Sequence, residues 1–195
     1  MATRKNVKIL ILFACGIALV LASSSCKKDS DQPPEPPPRE SPVSTTTDLV
    51  VAPPVSDQTL QVVPLVGLGS VRFGMTKEQV IEHLGQPERS EADIGLYYLT
   101  SIGIDLRLAY RGGVRDINCW SNQYPMAPED MKTFAGKTKT GIAMGAGREQ
   151  VVAAYGQPDS TTVKGPIETL HYGKLQAQFA LMQGKLVHIK ITAPK

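Results

Sequence analysis

Glu78-Gln79-Val80-Ile81-Glu82-His83-Leu84-Gly85-Gln86-Pro87 returns 71 residues later as Glu149-Gln150-Val151-Val152-Ala153-Ala154-Tyr155-Gly156-Gln157-Pro158. Six of the ten positions are identical: Glu, Gln, Val, Gly, Gln and Pro. A stretch repeated at a fixed offset lets each neighbouring residue be tested against its counterpart. Val80, Ile81 and Leu84 fall on one helical stripe, as do Val151, Val152 and Tyr155. Gly85 and Gly156 stand where a helix C-terminus wants a left-handed residue, and Pro87 and Pro158 prevent continuation. Gly-Gln-Pro therefore reads as a helix stop, not as a phosphate loop.

Upstream, Thr76 fits an N-cap, with Gln79 completing a capping box and Met75 and Val80 forming a hydrophobic staple. Gly147 is the cap of the second copy. Val71–Met75 and Ile142–Ala146 read as short strands leading into the two helices. Downstream, alternation predicts strands at Leu96–Thr100, Ile104–Tyr110 and Val114–Trp120. The second set is Thr169–Tyr172, Leu175–Met182 and Lys185–Thr192. Short connections force antiparallel meanders. The expected fold is α+β: two tandem (β)-α-β-β-β repeats, 65–120 and 137–193, forming antiparallel sheet covered by helices on one face. One such unit is small, and two copies sharing a core make a viable single domain, 65–195. The connection has a short helix expected between Ala127 and Ala135, starting at Pro128-Glu129-Asp130.

The N-terminus has a different character. Arg4, Lys5 and Lys8 precede an apolar run that ends at Ala22, and Ser23-Ser24-Ser25 lead to Cys26. This is the pattern of a secretory signal, residues 1–25. A Cys after small residues resembles a bacterial lipobox, in which the thiol is acylated and the Cys becomes the new N-terminus. Lipoboxes prefer Leu where this chain has Ser23. The alternatives are cleavage without a lipid and an uncleaved signal anchor. Residues 26–64 read as a lipidated tether: nine of the fifteen prolines lie there, and such composition favours extended polyproline II. Pro33-Pro34-Glu35-Pro36 also has the spacing of a proline-reading docking motif.

The formal charge of +3 comes from the three signal cations; the mature chain carries 18 basic and 18 acidic residues. No basic stripe is visible, so nucleic acid is not an expected partner. Once Cys15 leaves with the signal and Cys26 takes the lipid, Cys119 stands alone. It aligns with Ile191 and reads as a small buried hydrophobe. His83, His171 and His188 align with Ala154, Tyr97 and Asp116, at positions expected to face solvent or a strand edge. No two have metal-ligand spacing, no Gly-x-Ser-x-Gly elbow occurs, and no cofactor is implied. Glu78 and Glu149 suit the first turn of a helix electrostatically.

Surface residues remain. Trp120, Tyr124 and Met126 cluster where the first repeat hands over to the second, and aromatics and Met are enriched at interface cores. Closing the end of the core is the alternative role for Trp120. In Tyr97-Tyr98 one ring falls on each sheet face; with Tyr98 inward, Tyr97 points out beside Asp105 or Arg107. Tyr97, Trp120, Tyr124 and Met126 are the candidate binding residues.

Gly74-Met75-Thr76, Val80, Leu84-Gly85 and Pro87, matched by Gly145, Val151, Gly156 and Pro158, resemble the helix–turn–strand signature of SmpA/OmlA-type envelope lipoproteins. One of that type belongs to the outer-membrane β-barrel assembly machine. The doubling looks like the secreted β-lactamase inhibitor protein fold. The resemblance covers 65–193 and the leader. Its residues are caps, stops and core positions, so it carries no site, and the lipoproteins have one unit where this chain has two. The expectation is a non-catalytic, membrane-tethered binding or assembly module of the bacterial cell envelope, with a protein partner, at the outer membrane or periplasmic face. The alternatives are an inhibitor or sensor that binds an envelope enzyme or small ligand between the repeats, and a hydrolase.

Overall fold

Strands, not helices, dominate the computed structural model, which describes residues 60–92, 94–110 and 112–195. Cys26 and tether residues 26–59 lie outside these residues; Gln61–Val63, expected to be tether, form a strand, and Leu60 and Val62 are buried in the core. The order is β1 (Gln61–Val63), β2 (Gly67–Leu68), β3 (Val71–Arg72), α1 (Lys77–Leu84), β4 (Arg89–Glu91), β5 (Gly95–Tyr98), β6 (Ile104–Leu108) and β7 (Val114–Trp120). There follow β8 (Lys137–Thr138), α2 (Arg148–Tyr155), β9 (Ser160–Lys164), β10 (Ile167–Tyr172), β11 (Ala177–Met182) and β12 (Lys185–Thr192). The large sheet has eight strands in the order β4-β5-β6-β7-β12-β11-β10-β9, and a small one has four, β3-β2-β1-β8.

This corrects the α+β expectation of a sheet covered by helices on one face. The two α-helices among the described residues have eight residues each, and each buries one side chain fully, Val80 or Val151. Two turns of helix are too short to roof eight strands. The small sheet supplies Leu60, Val62, Leu68 and Val71 to the same core as Leu96, Ile104, Leu106, Ile117, Phe179 and Ile189 of the large one. Its β3 falls within the expected Val71–Met75 strand; β1, β2 and β8, of two or three residues, leave no periodicity to detect. Ile142–Ala146 is not a strand; Ala143 makes a lone bridge to Lys137. Nor does Ala127–Ala135 form a helix. Lys132 N–H donates to Leu99 O at 2.9 Å and Phe134 N–H to Trp120 O at 2.8 Å, so these amides serve the large sheet, and Met131 and Phe134 are buried.

The same contacts recur in both halves. Tyr98 OH donates to Gly85 O at 2.9 Å, and Tyr172 OH to Gly156 O at 3.0 Å. Gly74 N–H reaches Val114 O at 2.9 Å, and Gly145 N–H reaches Leu186 O at 2.8 Å. Trp120 N–H reaches Gly103 O, and Thr192 N–H reaches Gln176 O, both at 2.9 Å. The acid after Gly-Gln-Pro is a further repeated device. Glu88 accepts from the Thr100 and Ser101 amides, and Asp159 from the Gly173 amide, so each clamps the turn beyond its tyrosine. Both helix stops have positive φ with extended ψ: φ 79 and ψ −173 at Gly85, φ 81 and ψ −169 at Gly156. That region is essentially closed to residues with a Cβ.

The meanders join through β7 and β12, antiparallel, with Ile117 opposite Ile191 and Cys119 opposite Ile189. Thr76 caps α1 with the reciprocal Gln79 bond. Gly147 has no side chain to offer, and only the Gln150 half remains, at 2.7 Å.

Candidate functional site

Alternation along β5, β6, β7 and β12 sends Leu96, Tyr98, Ile104, Leu106, Ile117, Cys119, Ile189 and Ile191 to the core. The intervening residues go to the opposite face. There Tyr97 lies opposite Asp105, Asp105 opposite Asn118, and Trp120 opposite His188. The face is not the open aromatic surface expected from Tyr97, because Tyr97 and Asp105 are only 6% and 4% exposed.

A hydrogen-bonded chain crosses these strands. Trp120 Nε1–H donates to Asp105 Oδ2 at 2.6 Å, and Asn118 Nδ2–H donates to Asp105 Oδ1 at 3.0 Å. His188 Nε2 lies 3.2 Å from Asn118 Oδ1. Since the Asn118 amide nitrogen is committed to a carboxylate, its oxygen accepts, and His188 carries its proton on Nε2. Arg107 Nε also approaches Asp105, at 3.4 Å. A buried carboxylate needs such partners, because leaving it unpaired is costly.

The same chain fixes the aromatic rings. Trp120 stacks on His188 with centroids 3.8 Å apart at 14°, and Tyr124 meets Trp120 edge-on at 4.8 Å. Tyr97 OH donates to Glu91, and its ring carries Arg89 at 4.0 Å and Arg107 at 5.2 Å. Burial first, and then the positive charge of Lys190, push the His188 imidazole from 6.5 down to about 3. His188 is half-buried on a central strand, not on the open surface or strand edge that its sequence position suggested. Burial also raises the Tyr97 phenol, helped by its bond to Glu91. Nearby, burial would raise the Asp116 carboxyl, but bonds from Thr192 and Arg115 and the charges of Lys190 and Arg115 outweigh it and lower it.

Above the network the connecting segment makes a half-open cleft of about 230 Å³. Tyr97, Trp120, Tyr124 and Met126, all four candidate residues, line it, with Asp105 and Met131. Met126 stands 86% exposed at its rim. Asp105, Asn118 and His188 were missed from sequence, because their link runs across strands and not along the chain.

The second half serves as an internal control. By strand register, His171 stands for Tyr97, Gln178 for Asp105 and Thr192 for Trp120. His171 bonds Thr162 at 2.9 Å where Tyr97 bonds Glu91. A smaller cleft of about 120 Å³ lies there, lined by His171, Gln178 and Thr192. Stops and core positions match between the halves, but the cleft residues do not. The fold therefore does not require the aromatic set.

Cys119 is buried, and burial followed by the charge of Asp105 raises its thiol far above the ordinary range. Such a thiol is inert. His83, His171 and His188 sit on α1, β10 and β12. Among the described residues no helix is long and apolar enough to cross a membrane.

No protein-family model matches the chain, and no curated protein matches it. Two solved structures are similar at low identity. A DUF4309 family protein, YjgB, from Bacillus subtilis shares 12% identity at TM-score 0.45, covering 65% of this chain and 84% of that one. An extracellular protein containing an SCP domain, from Bacillus anthracis str. Ames, shares 12% identity at TM-score 0.35. That match covers 62% of this chain and 44% of the other, so the chain spans under half of it.

Proposed function

We propose that this chain is a non-catalytic binding module held on a membrane outside the cytoplasm, whose Tyr97–Trp120 cleft takes one large apolar side chain of a protein partner. The observation that carries this is the convergence of Tyr97, Trp120, Tyr124 and Met126 on one cleft in the half that differs from its copy. Size favours a side chain over a free ligand: about 230 Å³ falls below the ~300–1,000 Å³ of small-molecule sites. The polar groups beneath are committed to one another, which suits a platform better than a reaction centre. A ligand between the repeats is disfavoured, because β7 and β12 close that seam by direct pairing. The leader and Cys26 support the location.

Two tests follow. A photo-reactive residue at Ala127, which also lines the cleft, should capture a protein in the native host, and Trp120→Ala should weaken that complex by about 30-fold or more, as at interface hot spots. Met126→Asp should abolish capture at an unchanged melting temperature, since exposed substitutions shift stability by only ~0.5 kcal/mol. Capture that survives both substitutions rejects the cleft as the contact. Separately, Cys26→Ala should move the protein from the membrane to the soluble fraction. Absence of acyl label on the wild-type chain would remove the anchor.

A further inference from the structure

The eight-stranded sheet ends in two unlike edges. β4 has three residues, two of them charged, and its Arg89 is folded over Tyr97. Charge and brevity are how sheets protect an edge. β9 has five, Ser160-Thr161-Thr162-Val163-Lys164, all exposed, and Val163 is 71% exposed. Its three central residues are β-branched, the type that favours strand pairing. No bulge or proline interrupts it, and its inner side is paired with β10 throughout.

Pro158 and Pro166 bracket the strand, each four residues from Thr162. Proline lacks an N–H and cannot donate to a ladder. Two identical antiparallel strands related by a two-fold axis must have one residue facing its own copy, because hydrogen-bonded and non-bonded pairs alternate. Centring on Thr161 would bring Pro158 opposite Lys164, and centring on Val163 would bring Pro166 opposite Ser160. Centring on Thr162 keeps both prolines outside the ladder. It sets Thr161 against Val163, and Ser160 against Lys164, with no like charges opposed. Thr–Thr and other β-branched cross-strand pairs are favourable.

We infer that β9 pairs with β9 of a second copy of this chain, antiparallel about Thr162, joining two eight-stranded sheets edge to edge. The interface is isologous, as a two-fold dimer requires. It lies at the far edge from the Tyr97–Trp120 cleft and does not rest on the function proposed for it.

The test uses full-length chain in the membranes of an expressing cell, under mild oxidation. Thr162→Cys should form a disulfide-linked dimer about tenfold more efficiently than Thr161→Cys or Val163→Cys alone, because only residue 162 faces its own copy at bonding distance. Co-expressed Thr161→Cys and Val163→Cys chains should give the mixed dimer. Wild type, with its own three cysteines, sets the background. All three positions are exposed, and an unchanged thermal melt confirms that each variant folds. In wild type, hydrogen-exchange protection of the β9 amides should rise with protein concentration. Equal cross-linking at the three positions, none above background, cross-links only to another protein, or concentration-independent β9 protection would overturn the inference.

Discussion

Between pH 7 and pH 4 the wild-type protein should lose about 3 kcal/mol of stability that a His188→Gln variant does not lose. The unfolded imidazole takes its proton near 6.5, whereas the folded one resists until about 3. A depressed folded value means that this stability is fully present above pH 6.5 and drains away as pH falls toward 3. Each pH unit in that window costs about 1.4 kcal/mol. The cause is geometric. Trp120 covers one face of the ring, Asn118 takes its Nε2–H, and Lys190 is the cation on the same strand. Protonation would put a charge where burial keeps water away, close to the Lys190 cation and with no carboxylate in direct contact. Urea titrations at pH 7, 5 and 4 on both proteins measure this. The carboxylates Asp116 and Glu88 titrate in both, so the difference isolates the histidine. Parallel curves would show that His188 titrates normally, and that the stack is loose.

Gly85→Val and Gly156→Val should each destabilise the fold by about 1–3 kcal/mol. A simple left-handed cap would tolerate Asn. With φ near 80 and ψ near 180, even Asn is excluded, so Gly85→Asn should cost nearly as much as Gly85→Val. No atom lies within 4 Å of a Cβ built at either glycine, so the cost comes from the backbone and not from a clash. The strain would also displace the carbonyls that Tyr98 and Tyr172 hold. Tyr98→Phe and Tyr172→Phe therefore separate the two contributions, each removing a single bond worth about 1 kcal/mol. Unchanged melting in the glycine variants would refute the assignment of these turns.

The elements that were legible in the sequence are those with local rules. Thr76 and Gln79 announce a cap, Gly85 and Pro87 a stop, and Ile104 to Leu108 a strand, although Asp105 on its expected wet face is buried. β4 and β9 were illegible because every one of their side chains is exposed, which erases alternation. Of the small sheet only β3, inside Val71–Met75, was legible; β1, β2 and β8 are too short to show a repeated alternation. The helices were overweighted because an amphipathic stripe shows that something is buried, not how much sheet it covers. Glu88 and Asp159 were missed although the repeat displayed them, directly after Gly-Gln-Pro in both copies. For the cleft, residue type sufficed to find Trp120 and Tyr97. Their support was hidden, because the stack of His188 on Trp120 joins residues 68 positions apart, and only the pairing of β7 with β12 brings them together.

That pairing also orders events in time. β12 lies in the middle of the large sheet and leaves the ribosome after every other described strand. Until it arrives, the first meander ends in a raw apolar border at Ile117 and Cys119, with nothing to close it. Contacts between such distant segments form slowly. A chain threaded through a membrane from its N-terminus would stay translocation-competent until its final strand emerged.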